Sequence, residues 1–241
     1  MKHPIMKNLG KLMFGVLFAG SILFPAAPQV EAQDATTADA KHYKVMFEND
    51  QVRVLRVSYG AKEKSVLHQH PDAVAVSLNG MQGKFTGADG KAENRSFKAG
   101  EVRWSPAEVH TPENAGGKPF EVILVELKDR AAGSSTGAAL AAADDPVKVA
   151  AEHHKVEFEN DRVRVLRGRV PPGGKTAMHA HPANVVVLLT DVRVRSTSAD
   201  GKTEETSGKA GEALWRGPLK HTSENIGNKP FEVIIVELKG S

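Results

Sequence analysis

The sequence predicts an all-β protein made of two tandem barrels, and three observations carry that expectation. Residues 42–128 lie over 153–239 without a gap, with about half of the positions identical. Within each copy, short apolar or β-branched runs alternate with Gly, Pro, Asn and Asp turns about every 8 to 12 residues, the rhythm of a sandwich or closed barrel. No segment of either copy carries the 3.6-residue periodicity of a long amphipathic helix.

Composition narrows the classes. The chain has 241 residues, 40% of them hydrophobic and 25% charged, an ordinary globular balance. Cysteine is absent, which excludes a disulfide scaffold, a thiolate metal site, a cysteine nucleophile and lipid attachment through an N-terminal cysteine.

Residues 1–32 read as a secretory signal. Lys2, Lys7 and Lys11 form a basic start, Leu12 to Phe24 an apolar stretch, and Val30-Glu31-Ala32 a small-residue cleavage site. The stretch is shorter than the roughly 20 apolar residues a membrane span needs. The expected location is therefore periplasmic or extracellular, with no stable membrane insertion after cleavage. The whole chain has 32 basic and 29 acidic residues; without Lys2, Lys7, Lys11 and Glu31 these become 29 and 28. No basic stripe interleaved with aromatics remains, so nucleic acid is not an expected partner.

The remaining divisions follow from the repeat: a lead-in at 33–41, one module at 42–129, an Ala/Gly/Ser-rich linker at 130–152 and a second module at 153–241. Each copy opens with Phe-Glu-Asn-Asp and a β-branched run, Val52 to Val57 or Val163 to Arg167. Short apolar strands follow at Val74 to Leu78 and Val185 to Leu189. Asp89-Gly90 and Asp200-Gly201 give hairpin signals, and Phe120 to Leu127 and Phe231 to Leu238 form the last strands. A module of under about 90 residues has a modest core, so packing of one copy on the other is expected.

Histidines carry the chemistry. Copy one has His68, His70 and His110; copy two has His179, His181 and His221. In a strand, residues two apart share a face, so each His-x-His sets two imidazoles side by side. A third imidazole from another strand would complete a set of nitrogen ligands with positions left open. A divalent transition metal is the expected cofactor, with Fe, Mn or Zn ahead of Ni or Cu. The alternative is partly buried histidines satisfied by hydrogen bonds.

These residues resemble the cupin superfamily. Gly173 stands five residues before His179-Ala180-His181, as in the first cupin motif, and Gly100, Pro106, His110 and Asn114 keep spacings of the second; copy two has Gly211, His221 and Asn225. The resemblance implies two double-stranded β-helix (jelly-roll) barrels with the metal inside each. The Phe-Glu-Asn-Asp-x-Val-Arg-Val opening is similar to a small single-cupin family associated with β-alanine degradation. Two departures stand out: Val74 or Ala75, and Val185 or Val186, occupy the place of the motif glutamate, and Lys62 replaces the first glycine in copy one. A three-histidine set without a carboxylate resembles that of some cupin dioxygenases, and equally a cupin that has lost catalysis.

Expected functions follow in three classes: an oxygenase acting on a small chelating molecule, a non-catalytic small-molecule or metal-binding cupin, or a metal-dependent lyase, isomerase or hydrolase. No residue is assigned as acid, base or nucleophile. Arg56, Trp104, Arg167 and Trp215 are candidates for substrate contact, against the plainer uses of solvent exposure for the arginines and core packing for the tryptophans. Asn114 and Asn225 are expected to hold turns rather than touch substrate, and Glu126 and Glu237 to form edge salt bridges, with a remote carboxylate for the site as the alternative. His42 and His153 precede the first strand and are left outside the site. A homo-oligomer is left open.

Overall fold

The computed structural model describes Met1 and residues 32–129 and 141–240. The expected leader, beyond its two end residues, and the 130–140 part of the expected linker lie outside the described residues. The first module runs β1 (Tyr43–Glu48), β2 (Val52–Tyr59), β3 (His68–His70), β4 (Ala73–Ser77), β5 (Met81–Gly87), β6 (Ala92–Phe97), β7 (Val102–Ser105), β8 (Glu108–Asn114) and β9 (Phe120–Leu127). The second repeats it as β10 (His154–Glu159), β11 (Val163–Val170), β12 (His179–His181), β13 (Asn184–Leu188), β14 (Val192–Ser198), β15 (Thr203–Gly208), β16 (Ala213–Arg216), β17 (Leu219–Asn225) and β18 (Phe231–Leu238).

Each module folds these strands into two antiparallel sheets, β1-β2-β9-β4-β7 and β3-β8-β5-β6 in the first, β10-β11-β18-β13-β16 and β12-β17-β14-β15 in the second. The turns explain the hairpins. Asn49 Oδ1 accepts from the backbone N–H groups of Gln51 and Val52 at 2.8 and 3.0 Å, and Asn160 does the same for Arg162 and Val163, so the side chain closes the loop that reverses the chain. Gly90 and Gly201 take positive φ in the Asp-Gly turns, as such turns require.

Strand alternation decides what each face does. In β2, Leu55, Val57 and Tyr59 point into the barrel, where they meet Phe120, Val122 and Leu124 of β9 and Met81, Phe85 and Phe97 of the facing sheet. Val52 and Val54 point the other way, with Ile123, Val125 and Leu127. That outer face packs on its counterpart, Val163, Val165, Ile234, Val236 and Leu238, in one apolar layer shared by both modules. The last strands are buried on both faces, which is why they read as nearly continuous apolar runs.

Arginines fasten the layer at its margins. Arg56 donates to the carbonyl oxygen of Gly211 at 2.6 Å, and Arg167 reciprocally to that of Gly100 at 2.7 Å. Both glycines have positive φ; a Cβ on Gly211 would come within 3.1 Å of the Arg56 guanidinium.

The segments ahead of the modules are also a repeated pair. Asp34 caps a short helix, α1 (Ala35–Ala38), and Asp145 caps α2 (Pro146–Val149), each side chain accepting a backbone N–H. The described part of the stretch read as linker is therefore built like the lead-in of the first module. Among the described residues no helix is long and apolar enough to cross a membrane.

Lys62 keeps the backbone of the glycine it stands for. Its φ is 63°, beside 71° at the matching Gly173. A left-handed non-glycine residue costs about 1–2 kcal/mol, partly offset because glycine has more freedom to lose on folding, about 0.4–1 kcal/mol. Lys62→Gly is therefore expected to raise the unfolding free energy by about 0.5 kcal/mol, read from denaturant titration; a loss of stability would contradict it.

Candidate metal centre

In the first module β3 pairs with β8 so that His68 lies opposite His110, and alternation sends His68 and His70 inward together while Gln69 faces out. The three rings stand 4.9 to 5.4 Å apart between centroids, and one potential ligand atom from each lies within 4.8 Å of the others. All three histidines are buried.

Outer hydrogen bonds fix which nitrogen faces inward in His68 and His70. His68 Nδ1 donates to the Val66 carbonyl at 2.8 Å, His70 Nδ1 donates to Glu126 Oε1 at 2.7 Å, and His110 Nδ1 lies 3.0 Å from Glu108 Oε1. Nε2 of His68 is then buried with no partner, and neither ring nitrogen of His110 makes a hydrogen bond, its Nδ1 meeting Glu108 only as a close charged contact. Buried polar atoms are nearly always satisfied, and converging Nε2 lone pairs with anchored Nδ1 atoms are how histidines present themselves to a metal. The donor set fits a divalent transition metal.

Behind His70 runs a chain of charged groups. Glu126 is 1% exposed and, besides holding His70, accepts from Arg53 Nε at 2.6 Å; Arg53 also pairs with Asp34. Arg53 and Glu126 are register partners on adjacent strands. In the second module His181 Nδ1 donates to Glu237 at 2.7 Å, Arg164 lies 3.9 Å from Glu237, and Arg164 reaches Asp145 at 3.0 Å. Glu126 and Glu237 are thus interior groups orienting histidines, which corrects the expectation of edge salt bridges. The signal was parity: Glu126 alternates in step with the inward Phe120, Val122 and Leu124, and Glu237 with Phe231, Val233 and Ile235.

The second module gathers four histidines. His179 faces His221 across β12 and β17, with centroids 4.8 Å apart, and His181 stands 4.9 Å from His179 and 5.7 Å from His221. His154, at the start of β10, joins them at 4.8 Å from His179. One possible ligand atom each from His154, His179 and His181 lies within 4.8 Å of the others, a set that takes His154 where His221 was expected, while His221 offers a buried, unpartnered Nε2. His154 escapes a search for repeated histidines because its counterpart is Tyr43. His42 and His153 lie elsewhere: His42 stacks on Tyr59 and bonds Asp39, and His153 contacts the Arg169 carbonyl.

The cavities beside these clusters are about 320 Å³ in the first barrel and 220 Å³ in the second. Arg95 and Arg103 line the first, each over a phenylalanine ring, and Arg95 grips Glu108 with two hydrogen bonds. Arg56, Arg167 and Trp215 lie away from both cavities, the arginines joining the modules and the tryptophan packed on the shared layer. Trp104 packs there too and also borders the first cavity. Asn114 and Asn225 hold turns, each bonding two carbonyls and one backbone N–H. The motif's glutamate place is apolar: Ala75 faces the barrel and Val186 packs in the second core.

Burial favours the neutral imidazole at five of these histidines. It lowers His68 to about 4 and His154, His181 and His221 to about 3, with neighbouring histidine charges adding to the effect in each, and it lowers His179 as well. Burial raises Glu237 to about 7, an opposing single proton. The unfolded chain therefore binds more protons than the folded one below about pH 6.5, so stability rises with pH there. The metal-free protein should lose melting temperature as pH falls from about 6.5 towards 4; a flat profile over that window would contradict the burial reading.

No family model matches this chain, and no curated protein matches it. Solved structures do. Oxalate decarboxylase from Bacillus subtilis superposes with a TM-score of 0.55 at 13% identity, covering 78% of this chain and 68% of that one. AerE from Microcystis aeruginosa gives 0.55 at 14% identity, with 82% and 97% covered. A cupin 2 conserved barrel domain protein from Leptotrichia buccalis gives 0.50 at 11% identity, with 82% and 88% covered.

Proposed function

We propose, from the premise that this chain has the tandem cupin fold, that each barrel holds a divalent transition metal on its histidines and that the protein is an oxygenase of a small organic molecule able to chelate that metal. One observation carries the reading: His68, His70 and His110 point inward beside a 320 Å³ cavity, and Nε2 of His68 and of His110 has no protein partner. A bound metal would supply Lewis acidity and, if iron or manganese, redox chemistry with dioxygen. The chain's part is to hold His68 and His70 oriented through Val66 and Glu126, with Glu108 beside His110. Tyr43, Tyr59, Phe85 and Phe97 wall the cavity and limit water, while Arg95 and Arg103 favour an anionic or carbonyl-bearing molecule at its rim. The leader-like residues 1–32 support work in the periplasm or outside the cell.

A second reading, a metal-loaded binding protein without turnover, is favoured by the apolar Ala75 and Val186 at the place of the motif glutamate. Elemental analysis of the untagged protein, purified without chelator, separates the readings when joined to an oxygen-uptake screen of small carbonyl and carboxylate compounds. Iron or manganese with uptake that disappears in His68→Ala, His179→Ala supports the oxygenase. Uptake that survives that double change removes it. Binding without uptake supports the second reading, and zinc redirects the search to lyase, isomerase or hydrolase chemistry.

A further inference from the structure

We infer that the two barrels are unequal metal sites: the second closes around its metal with a fourth imidazole, His154, whereas the first has Tyr43 in that place and keeps a position open. This rests on the metal-binding reading above and specifies it.

The two residues occupy the same backbone position, the first of β1 or β10. His154 is 8% exposed. Its Nδ1 meets the Ala150 carbonyl at 3.3 Å, and one of its potential ligand atoms lies within 4.8 Å of those of His179 and His181. Its register partner is Gly168, where the first module has Val57 opposite Tyr43. A Cβ on Gly168 would crowd Val233 at 3.1 Å and reach ordinary contact with the His154 ring at 3.8 Å, so the glycine lets strand and ring lie side by side without a side chain between them.

Tyr43 packs its ring edgewise on His68 at 4.7 Å and its hydroxyl lies 3.0 Å from that of Tyr59. It stands as a wall beside the histidines, its oxygen occupied elsewhere. The cavities agree with this division: the first is the larger, and Arg95 and Arg103 face it where the second has Thr206 and Leu214.

Four protein ligands make the closed type of site, which retains its ion, and three make the open type, which exchanges ligands. The second barrel would therefore be a tight, slowly exchanging site, and small-molecule capture would belong to the first.

Zinc release from the loaded full-length protein into excess chromophoric chelator tests this. Two phases of equal size are expected, the slow one missing in His179→Ala. His154→Tyr, with His154→Ala as a second variant, should accelerate the slow phase by at least the about 10- to 100-fold that loss of an outer partner alone costs in affinity. Tyr43→His should slow the fast phase. A single phase in the wild type, or a slow phase untouched by both His154 variants, overturns the inference. Failure of the wild type to take up zinc at all would instead remove the metal-binding reading beneath it.

Discussion

Alanine at both His68 and His179 should reduce bound metal from two equivalents to almost none, while either change alone should remove one. Each is the central member of its cluster: His68 has His70 and His110 as ring neighbours, and His179 has His154, His181 and His221. The thermodynamic signature is sharper than the stoichiometry. An ion bound only by the native state adds about 4 kcal/mol of stability at a thousandfold excess over its Kd, and the double variant forfeits that. Without metal the same variant should still melt below the wild type, because truncating each buried side chain costs about 2–5 kcal/mol while removing the desolvated, unpartnered Nε2 of His68 returns only about 1–3 kcal/mol. Calorimetry with and without chelator decides: a wild-type gap in Tm that persists in the double variant would show that these histidines are not the ligands.

Arg53→Met should destabilise the first barrel by about 3 kcal/mol and weaken its metal by about 10- to 100-fold. Arg53 joins Asp34 to Glu126, and its loss leaves Glu126 buried with His70 as its remaining charged or ring partner among the described residues. A buried carboxylate deprived of its cation takes up a proton or moves, and either change frees His70 from its fixed orientation. Arg164→Met should act more weakly, because Arg164 stands 3.9 Å from Glu237 against the 2.6 Å contact in the first barrel. Denaturant unfolding and metal competition measure the two effects separately. An equal response from both arginines would mean that the contact geometry does not set the coupling.

Much of this was legible in the residues. The repeat, the turn chemistry and the alternation of β2 and β9 specify the barrels, and the spacing of His68 and His70 puts both on one wall. What escaped were features that need the third dimension. Arg53 and Arg56 share a strand on opposite faces, and nothing local says which face meets a second module; the shared apolar layer answers it, sending Arg56 across to Gly211 and Arg53 inward to Glu126. His154 was hidden by being unlike its counterpart Tyr43. Asp34 and Asp145 lie in segments without strand signal, and their pairing with Arg53 and Arg164 emerges only when the chain folds back.

The reciprocal arginine contacts, Arg56 to Gly211 and Arg167 to Gly100, have the form of an isologous interface, in which each half offers the other the same surface. In a dimer of identical chains such a surface ties every change in one site to the same change in its twin. One polypeptide carrying both halves is free of that tie. The joining face can stay self-complementary while the interiors diverge, so a tyrosine and a histidine can hold equivalent places and give one molecule two different chambers under a single fold.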